Sequence, residues 1–101
     1  MKEALIRKKA IKILEEEGYV VWYPPKVKWR KEVDVFGIFD LIAAHRHIVR
    51  FIQLTTLPNL SARRKKIKRW LEKNKIKWCW EPEVWAYDKK KKRFKIEKVS
   101  L

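Results

Sequence analysis

The sequence predicts an α/β (α+β) chain with elements in the order α-β-β-β-α-β-β-β. Three observations carry this. Residues 3–17 and 61–73 repeat apolar side chains at helical spacing. Six short runs are rich in β-branched and aromatic residues. Proline, glycine and small polar clusters separate these runs, and no linker, repeat or low-complexity block interrupts them. One domain spanning 1–101 follows, a sheet with helices packed on it.

In the first helix, Ile6, Ala10, Ile13 and Leu14 share a stripe, and Gly18 suits its C-terminal stop. Residues 19–23 read as a strand ended by Pro24 and Pro25. Residues 26–34 form a polar connector with Trp29 in its middle. Residues 38–44 and 48–55 read as an antiparallel hairpin closing near Arg46 and His47. Ser61 is the expected N-cap of the second helix, after Pro58 and Asn59. Ile67, Trp70 and Leu71 form its apolar side. Residues 76–80, 84–87 and 93–99 complete the strands, the last two joined through 88–92.

Charge is the strongest compositional signal. Lys and Arg number 27 against 12 acids, a net +15. Residues 1–60 hold 11 basic and 7 acidic side chains, net +4, whereas residues 61–101 hold 16 and 5, net +11. Such an excess repels itself until it meets a polyanion, and nucleic acid is the usual one. Arg63, Arg64, Lys65, Lys66 and Lys68 on the second helix, with Lys90 and Lys91 at the hairpin tip, are the candidate phosphate contacts. Trp29 is the candidate for stacking on a base. Cys79 has neither a disulfide partner nor a zinc-site companion. The chain has no glycine-rich phosphate loop and no apolar run long enough to span a membrane. Its charged N-terminal helix pattern is unlike a signal peptide, so the expected location is cytoplasmic. Two glycines and abundant Lys and Glu resemble thermophile composition.

Residues 36–56 hold the candidate site. Asp40 and Gln53 each stand among apolar residues, where an unused polar group is costly. In the hairpin Asp40 falls opposite Gln53, and Thr55 shares the face of Gln53 by strand alternation. A structural alternative has Asp40 capping a turn or pairing with Arg50, and Gln53 hydrogen-bonded to it. His45 and His47, beside the turn, are expected to face solvent.

The residues Asp40-Leu41-Ile42-Ala43, the later Ile52-Gln53-Leu54-Thr55, the run from Asp34 to Asp40, and Ser61-Ala62-Arg63 together resemble the PD-(D/E)xK nucleases. Within them the chain is most similar to archaeal Holliday junction resolvases and small phage-type proteins of the restriction-endonuclease-like fold. By element order the likeness covers most of the chain, and by motif about 30 residues. It implies a central mixed sheet flanked by helices, a homodimer on a symmetric DNA substrate (DNA rather than RNA), and Mg²⁺ or Mn²⁺ held by Asp40, Gln53 and the Leu54 carbonyl. The exposed strand edge near Trp78 to Trp85 is the candidate dimer contact.

The departures are chemical. Where the family pattern has Glu-x-Lys, this chain has Gln53-Leu54-Thr55, which keeps a carbonyl ligand but loses one negative charge and the lysine. The family also draws a Glu from the first helix. The expected position falls near Arg7, and Glu3 is the early acid; Asp34 or Glu32 is the other source of a second carboxylate. Arg63, Arg64 or Lys65 stands in for the lysine. Three functions are thereby expected, in order: a metal-dependent DNA endonuclease, a nucleic-acid-binding module on a decayed nuclease scaffold, and an architectural subunit with a basic face.

Overall fold

A computed structural model of the chain describes residues 3–24, 34–76 and 82–100. Helix α1 (Glu3–Glu16) leads into β1 (Val20–Trp22), β2 (Leu41–His45) and β3 (Ile48–Thr56). A short 3-10 turn, Leu57–Asn59, then opens α2 (Leu60–Lys73), followed by β4 (Glu83–Asp88) and β5 (Arg93–Lys98). The strands form one mixed sheet in the order β1-β2-β3-β4-β5. β3 and β4 run parallel, and the other neighbours are antiparallel. Parallel neighbours need a long crossover, which α2 and its flanking segments supply. The result is an α+β fold with five strands among the described residues. The further strand expected over 76–80 lies outside them, apart from Ile76.

Local chemistry explains the boundaries. At the end of α1 the Tyr19 N–H donates to the Leu14 carbonyl (3.0 Å) and the Gly18 N–H to that of Glu15 (3.0 Å), with Gly18 at φ +92°. This paired closure requires a left-handed residue, and glycine adopts it without steric cost. The same closure ends α2, with Ile76 donating to Leu71 (3.0 Å) and Lys75 to Glu72 (3.2 Å). There the left-handed residue is Lys75, at φ +55°. The β2–β3 hairpin closes through Arg46 and His47, as expected, with Arg46 at φ +53°. The Ser61 expectation is corrected. The N-cap of α2 is Asn59, because the 3-10 turn holding Pro58 feeds straight into the helix and starts it at Leu60.

Strand alternation sorts the core into two layers. On one face Ile6, Ala10 and Leu14 of α1 pack on Leu41, Ala43, Ile52, Leu54, Trp85 and Tyr87. On the other, Leu60, Ile67 and Leu71 of α2 pack with Ile38, Phe39, Val84, Ala86 and Val99. Ile13, expected on the buried stripe of α1, sits on its flank and lines a cleft with Lys9, Lys12, Tyr87 and Phe94.

A buried ion pair crosses the parallel seam. Arg50 Nε donates to Glu83 Oε2 at 2.8 Å and Nη2 to Oε1 at 2.5 Å, with the two side chains 18% and 2% exposed. Trp85 Nε1 donates to the same carboxylate (3.1 Å), and the guanidinium lies over the rings of Tyr19 (5.1 Å) and Trp85 (5.4 Å). The hydrogen bond that Arg50 donates to Glu83 is the chief reason the Arg50 pKa is raised further above its already high range, against the opposing effect of burial. Arg50 is therefore committed to Glu83 on α1's side of the sheet.

Candidate functional site

β2 and β3 position the candidate site. Their ladder runs from His45↔Ile48 at the turn to Leu41↔Ile52, the register that alternation predicts. Beyond Leu41 the chain bends away into the turn that contains Phe36 and Gly37, closed by a bridge between Val35 and Phe39. Asp40 then takes over from the missing strand. Its N–H donates to the Ile52 carbonyl (2.9 Å), and its Oδ2 accepts the Leu54 N–H (2.7 Å). Asp40 thus brackets Gln53, holding the residue before it and the residue after it. A carboxylate on a backbone amide is a charge-assisted bond, stronger than a neutral one.

Gln53 points to the α2 face with Val84 and Ala86. It is 2% exposed, and its Oε1 is buried with no hydrogen-bond partner. Most buried polar atoms are paired, so an orphan acceptor calls for a reason. Thr55, also buried, follows on the same face. In an extended strand the N–H and C=O of one residue point to the same side. The Leu54 carbonyl therefore faces the Asp40 side, as its N–H does. Neighbouring positions of the two segments thus contribute one carboxylate, one unused amide carbonyl and one backbone carbonyl.

This donor set fits Mg²⁺, which is commonly held by one or two carboxylates with water and substrate phosphate completing the shell. It does not make a three-acid centre. Among the described residues no group of three or more His, Cys, Asp or Glu side chains gathers where it would hold a metal. Asp34 stands at the start of the turn, its carbonyl accepting the Gly37 N–H (2.9 Å). Glu3 opens α1, and its side chain is outside the described residues; α1 packs on the face opposite Gln53. Glu32 and Trp29 also lie outside them.

The cations divide into engaged and open groups. Arg64 Nη1 donates to Glu97 Oε1 at 2.6 Å, which ties α2 to β5. Arg63 and Lys66 are half-buried, while Lys65 and Lys68 are exposed. Lys90 and Lys91 are exposed at the β4–β5 tip, where their N–H groups donate to Asp88 Oδ1 (3.0 and 3.2 Å) and shape the turn. Lys91 also lines a shallow cleft with Leu57, Asp88, Arg93, Phe94 and Lys95.

Two expectations change here. Trp85 is an interior residue, 1% exposed, because β4 lies between β3 and β5. Trp85 therefore offers no strand edge, whereas Trp78 and Trp80 lie outside the described residues; among the described residues the outer strands are β1 and β5. His45 is half-buried, its Nδ1–H donating to the Gly18 carbonyl (3.0 Å) beside the Tyr19 ring, while His47 is exposed as expected. Sequence reasoning missed the Arg50–Glu83 pair. The signal was a carboxylate at the head of the apolar run Glu83-Val84-Trp85-Ala86-Tyr87.

No family model, curated protein or solved structure matches the chain. No helix among the described residues is long and apolar enough to cross a membrane.

Proposed function

We propose that the chain is a nucleic-acid-binding protein on a PD-(D/E)xK-type, restriction-endonuclease-like scaffold, with Asp40, Gln53 and Thr55 forming a reduced endonuclease centre for DNA. The observation that carries this reading is the buried, unpartnered Gln53 Oε1, bracketed by the two backbone contacts of Asp40. Leaving such an acceptor unpaired costs about 1–3 kcal/mol, a burden that a ligand role would explain. The α-β-β-β-α-β order and the net charge of +15 support it.

In this reading Asp40, the Gln53 amide carbonyl and the Leu54 carbonyl hold Mg²⁺ or Mn²⁺. The bound cation would supply an acidified water and a polarised phosphate. The protein's own groups do the remainder. The Leu54 N–H keeps the Asp40 carboxylate oriented. Thr55, in the lysine's place, offers a hydroxyl and no charge. Arg63, in the first turns of α2, supplies cationic stabilisation, while Arg64 is held by Glu97. Lys65, Lys68, Lys90 and Lys91 attract the phosphate backbone without reading sequence. A homodimer on a symmetric substrate belongs to the same proposal.

A second reading has a specific observation behind it. The Asp40 carboxylate already serves Leu54, and Thr55 lacks the lysine's charge, an arrangement that suits binding without cleavage. One experiment separates the two. Labelled duplex, single strand, flap and four-way junction are incubated with Mg²⁺, Mn²⁺ or EDTA, beside the Asp40→Asn variant. Asn keeps an acceptor for the Leu54 N–H while removing the charge. Metal-dependent products absent from the variant establish the nuclease. Salt-sensitive binding by both proteins without products establishes the binding module, and no binding to any substrate refutes both.

A further inference from the structure

We propose that the open half of the sheet beside α2 is a stacking platform for unpaired bases of single-stranded nucleic acid, with Trp22 and Phe36 as its exposed rings. The inference rests on the nucleic-acid-binding reading above and names the form of strand that the surface would select.

α2 packs over β3 and β4, and among the described residues no element packs over the β1–β2 half of its face. Two cross-strand rows lie there: Val20, Ala44 and Val49, then Trp22, Ile42 and Phe51. None of these six side chains is charged, in a chain with 39% charged residues. Val20 is 76% exposed and Trp22 54%. Phe36 continues the second row. Its ring lies 6.0 Å from Phe51 and 5.6 Å from Trp70, tilted 33° to each, and the residue is 63% exposed. An apolar surface of this kind marks an interaction site.

Phe36 also has an unusual backbone. It sits at φ +55°, left-handed and just before Gly37, also left-handed at φ +72°. A bulky aromatic residue is an outlier there, and strained residues concentrate at ligand clamps. Folding alone gains little from a strained ring left largely in water. Stacking on a base would use it. Trp22 and Phe51 are two strand spacings apart, roughly 10 Å, so the row can present separate rings to successive bases of an extended strand.

Charge selects the occupant. Trp70 reaches Phe36 and Phe39, so the flank of α2 bearing Trp70 borders the platform. Arg63 and Lys66 precede Trp70 by seven and four residues and share that flank. An apolar, aromatic plane bordered by cations matches a nucleic-acid strand, its bases stacking and its phosphates lying along the helix. A second copy docked on this face would bring its own excess of cations against Arg63 and Lys66, so the homodimer proposed above uses another surface.

The test uses fluorescence anisotropy with a labelled oligo-dT strand and a blunt duplex, at several salt concentrations. The natural chain is compared with Trp22→Thr and Phe36→Asn. Thr suits an edge strand and Asn tolerates the left-handed backbone, so each variant should fold, which circular dichroism checks. Each loss of a ring should weaken single-strand binding about 5- to 100-fold. Duplex affinity should stay within about two-fold and the salt slope should not change, since no phosphate contact is removed. Equal loss on both substrates, or no loss on the single strand, overturns the platform while leaving nucleic-acid binding intact. So does a natural chain that sediments as a dimer and a Trp22→Thr variant that sediments as a monomer. Failure of the natural chain to bind either substrate would overturn the underlying function as well.

Discussion

Replacing Gln53 with Met asks whether the site is maintained at the expense of the fold. The side chain is 2% exposed on the α2 face, and its Oε1 has no partner. Met has nearly the same length and volume and needs no acceptor satisfied. Removing an orphaned buried acceptor recovers part of its desolvation cost of about 1–3 kcal/mol. The flexible thioether should fill the same space with little packing loss. A net gain of about 1–2 kcal/mol is expected, and at this chain length each kcal/mol raises Tm by roughly 4–8 °C. Thermal melts followed by circular dichroism, with urea unfolding at an unchanged m-value, measure it. Metal-dependent cleavage, if the natural chain has it, should vanish in the same variant. A fall in Tm of about 5 °C or more would refute the reasoning, because it would mean that the Gln53 amide is hydrogen-bonded and structural.

Three other outcomes follow from the geometry. Glu83→Ala leaves Arg50 buried beside Tyr19 without its anion and should cost about 3–5 kcal/mol. The Glu83→Leu, Arg50→Met pair should recover most of that, and a double-mutant cycle by urea unfolding checks both. Lys75→Gly should stabilise the protein by about 1 kcal/mol, since φ +55° at the α2 stop suits glycine; an unchanged or lower Tm would contradict that. Gln53→Glu gives the site a second carboxylate and should tighten Mn²⁺ binding in calorimetric titration, with no tightening counting against a metal site there.

How much was legible in the sequence depended on range. The β2–β3 hairpin, its turn at Arg46 and His47, and the stop at Gly18 follow from alternation, spacing and one special residue. All are local. The N-cap of α2 was off by two residues, Asn59 in place of Ser61, because a 3-10 turn merges with the helix. Asp40 was recognisable as an anomaly in an apolar run, but its partner was not. Its bond to the Leu54 N–H exists because β2 ends one residue too soon to supply a backbone acceptor. Arg50 and Glu83 lie 33 residues apart and meet through the parallel pairing of β3 with β4, which no local pattern specifies. The left-handed Phe36 was equally hidden, since the dipeptide Phe36-Gly37 marks a turn without saying which residue bears the strain.

That parallel seam also sets the order in which the molecule can assemble. β2 with β3, and β4 with β5, are hairpins whose partners are close in sequence and whose formation takes microseconds. Joining them closes the segment from Thr56 to Glu83, an entropic cost of about 3 kcal/mol before any contact across the seam is gained. The burial of Gln53 and Thr55 against Val84 and Ala86, and the Arg50–Glu83 contact, are made only in that last step. The closing of the parallel seam and the completion of the candidate centre are therefore one event. Amide hydrogens of Gln53 to Thr55 and Val84 to Ala86 should accordingly be among the slowest to exchange, opening only when the whole chain unfolds.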